Sequence, residues 1–263
     1  MTGRVVVGVL AIAVASCSGP GGTQNAGTTE VAIYAAASLQ AALVAAKDAY
    51  QADHPGIAMT LAFNSSAALR TQIEQGAPAD LFLSADTTSP QELVDAGLTD
   101  GAARNFAGNS LAIVVPIANP GAVTSPVDLS RAGLKVIAAG DAVPISGYAK
   151  ALISRLSGLP GYPAGFVASY DANVLSREDN VKGVLTKIEL GEGDAGIVYA
   201  TDARSSTKVT TIPTPPEASV TAVYAGVTIK GSAHPAETQR ILDWLAGPAG
   251  QSVLAGFGFV APP

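Results

Sequence analysis

Histidine, cysteine and clustered charge are nearly absent from this 263-residue chain, and each scarcity removes a class of function. A single cysteine, Cys17, leaves no second thiol for a disulfide or a redox pair. The two histidines, His54 and His234, each precede proline, a context that favours an extended or turn conformation over a helix interior. Both read as surface turn residues. No spacing of His, Cys and carboxylates suggests a transition-metal site. No Gly-x-Ser-x-Gly elbow is present, and no Gly-x-Gly-x-x-Gly or Walker loop follows a strand. The carboxylate pairs Glu178/Asp179 and Glu192/Asp194 fall in turn-like polar segments and read as solvated. With 15 Lys+Arg against 21 Asp+Glu and no run of like charge, the chain lacks the clustered basic surface that displaces counterions from nucleic acid.

Long apolar runs are missing too. Although 48% of residues are hydrophobic and only 14% charged, no stretch beyond the N-terminus is long enough to span a bilayer. The N-terminus itself, MTGRVVVGVLAIAVASC, has one basic residue, a short apolar segment and then small residues, the layout of a secretory leader. Its end, VASC, resembles the lipobox of bacterial lipoproteins, in which the cysteine is lipidated. The expectation is a signal peptide over residues 1–17, a lipid anchor on Cys17, and a flexible tether over residues 18–29. That places a soluble domain on the outer face of the cytoplasmic membrane.

From Glu30 onward strand-like and helical patterns alternate, which predicts an α/β fold with helices on both faces of a mostly parallel sheet. EVAIY, IAMTLAF, ADLFLSA, NSLAIVVP, LKVIAAG, a segment near GFVASY, AGIVYAT, KVTTIPTP and VTAVYAGVTI read as strands. The first helix carries Leu39, Leu43, Val44 and Ala46 on its apolar face; the second is closed by Gly76; in the third Ser89 reads as N-cap, with Pro90 and Glu92 completing a capping box. Long apolar strands near Gly108 and Tyr224 suggest two lobes, residues 30–108 plus 225–263 and residues 109–224.

What recurs is a hydroxyl or amide side chain where a strand gives way to a helix: Ser38, then Asn64, Ser65 and Ser66, then Ser146 before Gly147, then Asn180 before Val181. Such residues are ordinary N-caps. They are also what an anion site uses, because the first turn of a helix offers free N–H groups and the positive end of its dipole. Spacing alone does not decide whether these junctions converge on one cavity.

YAAASLQAAL, FNSSAALRTQIEQGAPADLFLSAD, GNSLAIVVP, VPISGYAKAL, EDNVKGVL and GIVYATDA occur in an order, and over a span from Glu30 to the C-terminus, that resembles the periplasmic molybdate-binding proteins of ABC importers, the ModA family. That resemblance implies a two-lobed class II periplasmic-binding-protein fold with a tetrahedral oxyanion between the lobes, no catalysis and no cofactor. It implies ligand donors at Ser38 and Ser66 and, through main-chain N–H groups, at Ile145 and Val181, with the phenol of Tyr199 as a further donor. Ser65 and Ser146 are additional candidates, and molybdenum takes no direct protein ligand. Ile145 departs from the pattern, standing where the family usually has a small residue, and Ser146 stands where glycine is common. The implied partners are molybdate or tungstate, an ABC permease with its ATPase, and the membrane through Cys17, with the protein acting as a monomer. The alternatives are a receptor for another tetrahedral oxyanion such as sulfate, and a secreted α/β hydrolase built on one of the serines.

Overall fold

The structure, a computed structural model, describes residues 28–263. The expected leader over 1–17, Cys17 and tether residues 18–27 lie outside the described residues.

The chain begins with β1 (Thr29–Ala36), a short 3-10 turn (Ala37–Leu39), α1 (Gln40–Asp53), β2 (Ile57–Asn64), α2 (Ser66–Glu74), β3 (Leu81–Ser84) and α3 (Thr88–Asp95). β1 lies between β2 and β3 and parallel to both, with Ala36 opposite Asn64 and Ala35 opposite Leu83. The carboxyl ends of all three strands therefore share one edge. Val31, Ile33 and Ala35, alternate residues on one face, are wholly buried, while Ala32 and Tyr34 on the other are half-buried. On α1 the buried residues are Ala42, Leu43, Ala46 and Tyr50, whereas Val44, expected on that face, is exposed. α2 gives way to a turn at Gly76, whose φ of +90° suits glycine.

A second unit follows: β4 (Arg104–Pro116), β5 (Val136–Ala139), α4 (Pro144–Ser157), α5 (Phe166–Ala172), β6 (Val174–Glu178), α6 (Val181–Glu189), β7 (Ala195–Tyr199), α7 (Ala200–Arg204) and β8 (Val209–Ile212). Here β5 lies between β6 and β7, again parallel to both. β9 (Thr221–Thr228) then returns antiparallel to β3 and β4, and α8 (Pro235–Ala246) and α9 (Pro248–Gly256) close the chain. The strand order is β2-β1-β3-β9-β4-β7-β5-β6, with β8 also paired to β4. The fold is thus a mixed α/β sheet of two parallel units joined through antiparallel β4 and β9. The thirteen residues of β4 are long enough, at about 3.3 Å each, to serve both units. Arg104–Ser110 pairs with β9 and Leu111–Pro116 with β7 and β8.

Two further local expectations fail for physical reasons. GFVASY, read as a strand, forms helix α5: Gly165 (φ 84°) turns the chain into it, and Phe166 and Tyr170, one turn apart, are the residues it buries. The strand is the following VLSRE. Ser89 is not the cap of α3, which already starts at Thr88; the carboxylate of Asp86 accepts from the Ser89 N–H at 2.8 Å and its hydroxyl at 3.2 Å. Two further helices sit directly against their neighbours: α7 begins at the residue after β7, and only Gly247 separates α9 from α8, with Pro248 at its first position.

Candidate functional site

Both parallel units present the carboxyl ends of their strands to one cavity, which is where ligands bind in open α/β sheets. From the first unit come Ser38 after β1, Ser65 and Ser66 after β2, and Ala85 after β3. From the second come Val143 to Ile145 after β5, Asn180 and Val181 after β6, and Tyr199 at the end of β7. The cavity is small, about 10 Å³, on the scale of a single water-sized guest, so it suits a small ion and not a drug-sized molecule. Of the residues named from the sequence, Ser38, Ser65, Ser66, Ile145, Val181 and Tyr199 all line it, and Ser146 does not.

Each reaches the cavity differently. Ser38 was expected as a helix cap, yet it sits within the 3-10 turn, whose N-cap is Ala36, and caps nothing. Its Oγ lies 2.8 Å from Tyr224 Oη instead. Ser65 is the true N-cap of α2, its Oγ accepting from the Ala68 N–H at 3.3 Å. Ser66 is fully buried, and its Oγ accepts from the Ala85 N–H at 3.0 Å, which leaves its own proton to be placed. Ile145 and Val181 bury their side chains, as apolar residues should, while being the second residue of α4 and the first of α6. Their N–H groups therefore belong to first helical turns, where no intrahelical carbonyl can accept them. Asn180 caps α6 by accepting from the Gly183 N–H at 3.1 Å, and its Nδ2 donates at 3.4 Å to Asn64 Oδ1 on the opposite unit. The cavity is drawn closed at this edge.

Ser146 is a correction. Because α4 starts at Pro144 rather than after Gly147, Ser146 already lies in the first turn and faces back toward β5. Its hydroxyl donates to the Ala139 carbonyl at 2.8 Å and its N–H to that of Val143 at 2.9 Å. Neither is left for a ligand.

No charged side chain lines the cavity. The cation next to Val181, Lys182, is committed elsewhere: its Nζ lies 2.8 Å from Oδ1 of Asp202, whose side chain is wholly buried. Burial pushes the Asp202 carboxyl up, against the opposing pull of Lys182. Burial likewise holds the phenols of Tyr199 and Tyr224 well above their usual range, so both remain neutral O–H groups. Tyr199 is 1% exposed, and among the described residues its hydroxyl has no hydrogen-bond partner. Such an orphan is costly unless something else accepts from it. A cavity lined by hydroxyl and N–H groups with no carboxylate suits a fully ionised anion; a protonated one would need an acceptor.

Other chemistries lack their parts. His54 stacks on Tyr50 at 4.1 Å and His234 sits at the head of α8, so neither meets a cavity serine. Among the described residues no group of three or more His, Cys, Asp or Glu side chains could hold a metal ion, and no helix is long and apolar enough to cross a membrane. Sequence reading missed Tyr224 and Asn109, which lie behind Ser38. The available signal was a tyrosine inside the apolar run VTAVYAGVTI, since a buried tyrosine hydroxyl normally finds a partner.

Residues 31–260 match the family of bacterial extracellular solute-binding proteins. The chain is 36% identical over 266 residues to the molybdate-binding protein ModA of Mycobacterium tuberculosis, covering 99% of this chain and 97% of that one. Its fold is similar to that of the periplasmic molybdate-binding protein of Azotobacter vinelandii, with a TM-score of 0.74 at 21% identity over 89% of this chain and all of that one. It is also similar to the sulfate-binding protein SubI of Mycobacterium tuberculosis, with a TM-score of 0.76 at 22% identity over 88% and 86%.

Proposed function

The chain belongs to the family of bacterial extracellular solute-binding proteins, and from that premise we propose that it closes on molybdate, or on tungstate, and delivers the ion to an ABC importer. It is a binding protein, not an enzyme, and the oxyanion is its ligand rather than a cofactor. In this reading residues 30–108 with 225–263 form one lobe and residues 109–224 the other, and the ion sits in the cavity between them. Ser38 and Ser66 donate from the first lobe; the N–H groups of Ile145 and Val181 and the hydroxyl of Tyr199 donate from the second. Ser65 is a further candidate donor from the first lobe: its Oγ accepts from the Ala68 N–H, as that of Ser66 does from Ala85, and its own proton is left over. The delivery partners are a permease and its ATPase, met by a monomer that a lipid on Cys17 keeps at the outer face of the membrane.

The observation that carries this proposal is the orphan hydroxyl of Tyr199, buried and lining a cavity of donors. Molybdate is a dianion at neutral pH, and burying it unpaired would be prohibitive. Hydrogen bonds to a charged group each contribute roughly 1.5–3 kcal/mol, so several convergent neutral donors can hold it without a cation. Exclusion of water on closure strengthens each of them. Calorimetric titration of the domain with molybdate, tungstate, sulfate and phosphate is the test. Molybdate and tungstate, nearly equal in size, should bind alike and more tightly than sulfate, with phosphate weakest; sulfate binding ahead of molybdate would sink the proposal.

A further inference from the structure

Behind Ser38 lies a buried polar chain that the donor set above does not use. Asn109 of β4 and Tyr224 of β9 stand on neighbouring, antiparallel strands, and both are buried almost completely. Asn109 Nδ2 lies 2.9 Å from Thr201 Oγ1 and 3.3 Å from Tyr224 Oη. Tyr224 Oη lies in turn 2.8 Å from Ser38 Oγ. An amide nitrogen can only donate, and it has two protons for these two oxygens. The opposite orientation of the amide would satisfy Oδ1 but leave an NH2 group buried without an acceptor, which is rarer in proteins than an underused carbonyl oxygen.

The direction of the chain then follows. Tyr224 Oη accepts from Asn109, so its own proton goes to the remaining neighbour, Ser38 Oγ. Ser38 Oγ is thereby an acceptor on its protein side, and its proton is left for the cavity that Ser38 lines. We infer that Tyr224, oriented by Asn109, is a positioning residue for the anion: it fixes Ser38 as a hydroxyl whose proton faces the ligand. Ser66 reaches the same state by a different route, accepting from the Ala85 N–H. Both serines thus have their one proton free for the cavity, which favours a fully ionised anion, whose oxygens all accept, over one that carries a proton. Burial keeps the Tyr224 phenol neutral, so the orientation persists across the ordinary pH range.

The inference rests on the reading that Ser38 donates to the oxyanion, and a double-mutant cycle separates the two. Wild type, Ser38→Ala, Tyr224→Phe and the double variant are titrated calorimetrically with molybdate, and their melting temperatures are recorded to show that each is folded. Ser38→Ala and Tyr224→Phe should each weaken binding about tenfold, the scale of one hydrogen bond to a charged group. In the Ser38→Ala background, Tyr224→Phe should cost nothing further, because the proton it orients is gone. Equal losses from Tyr224→Phe in both backgrounds, or binding that is unchanged or tighter in the single variant, would overturn the positioning role while leaving the molybdate reading intact. Absence of molybdate binding by the wild type would remove both together.

Discussion

The two walls of the cavity use the same kind of chemistry with opposite parts of the residue. On the wall formed after β1 and β2, Ser38 and Ser66 offer side-chain hydroxyls, each held from behind by another group. On the wall formed after β5 and β6, Ile145 and Val181 offer main-chain N–H groups and send their side chains into the core. The first wall is therefore specified by residue identity, the second by where a helix starts. Substitutions that look severe on one wall should be silent on the other, and the reverse.

The largest effect belongs to the serine wall. Ser66→Ala removes a proposed ligand donor and also strands the Ala85 N–H, which now donates to Ser66 Oγ at 3.0 Å in a buried setting. Molybdate affinity should fall by about 10- to 100-fold and stability by about 1 kcal/mol, as read by calorimetry and denaturant unfolding. Unchanged affinity would take the serine wall out of the site. On the opposite wall Val181→Pro deletes the N–H together with the valine side chain, whose separate contribution Val181→Ala reads. Proline is tolerated at the first helical position, and Asn180 before it is already extended at φ −159°, ψ 170°, as a residue preceding proline requires. Affinity should drop about tenfold with α6 intact by circular dichroism. If Val181→Pro bound molybdate as wild type does, the main-chain half of the comparison would be wrong.

The same asymmetry explains what was legible in the sequence. Alternating patterns gave the order of β1 to β3 and the places of β5 and β7, because those strands carry mostly apolar residues and most of the helices between them have a periodic face; β6, VLSRE, carries Ser, Arg and Glu and escaped. The serines announced themselves as polar residues at strand-to-helix junctions. Ile145 and Val181 did not, since nothing about an apolar side chain reports a free N–H; they were reached only through the family resemblance. Ser146 misled for a related reason: a hydroxyl near a helix start looks like a donor until the true start, Pro144, turns it toward Ala139. Helix α5 was misread because aromatic and β-branched residues were weighed above the one-turn spacing of Phe166 and Tyr170. Asn109 and Tyr224 escaped because their partnership spans 115 residues and depends on β4 and β9 lying side by side.

A smaller effect sharpens the contrast. Tyr199→Phe removes a hydroxyl that lacks a partner among the described residues, so affinity should fall by about tenfold while the ligand-free protein gains up to about 1 kcal/mol. That combination, weaker binding with greater stability, marks a group kept for the ligand.

Val181→Ala is its mirror and the smallest effect on binding. Val181 is 4% exposed and packs into the main core, so shortening it opens a cavity and should cost about 1–2 kcal/mol of stability. The N–H stays where the start of α6 puts it, because alanine is at least as good a helix former as valine and the Asn180 cap is untouched. Molybdate affinity should then remain within about twofold of wild type, below the loss of any one hydrogen bond. Set beside Val181→Pro, the pair separates backbone from side chain at one position. A large affinity loss in Val181→Ala with α6 still formed would mean that the valine methyl groups shape the cavity directly, and that the second wall, too, is specified by residue identity.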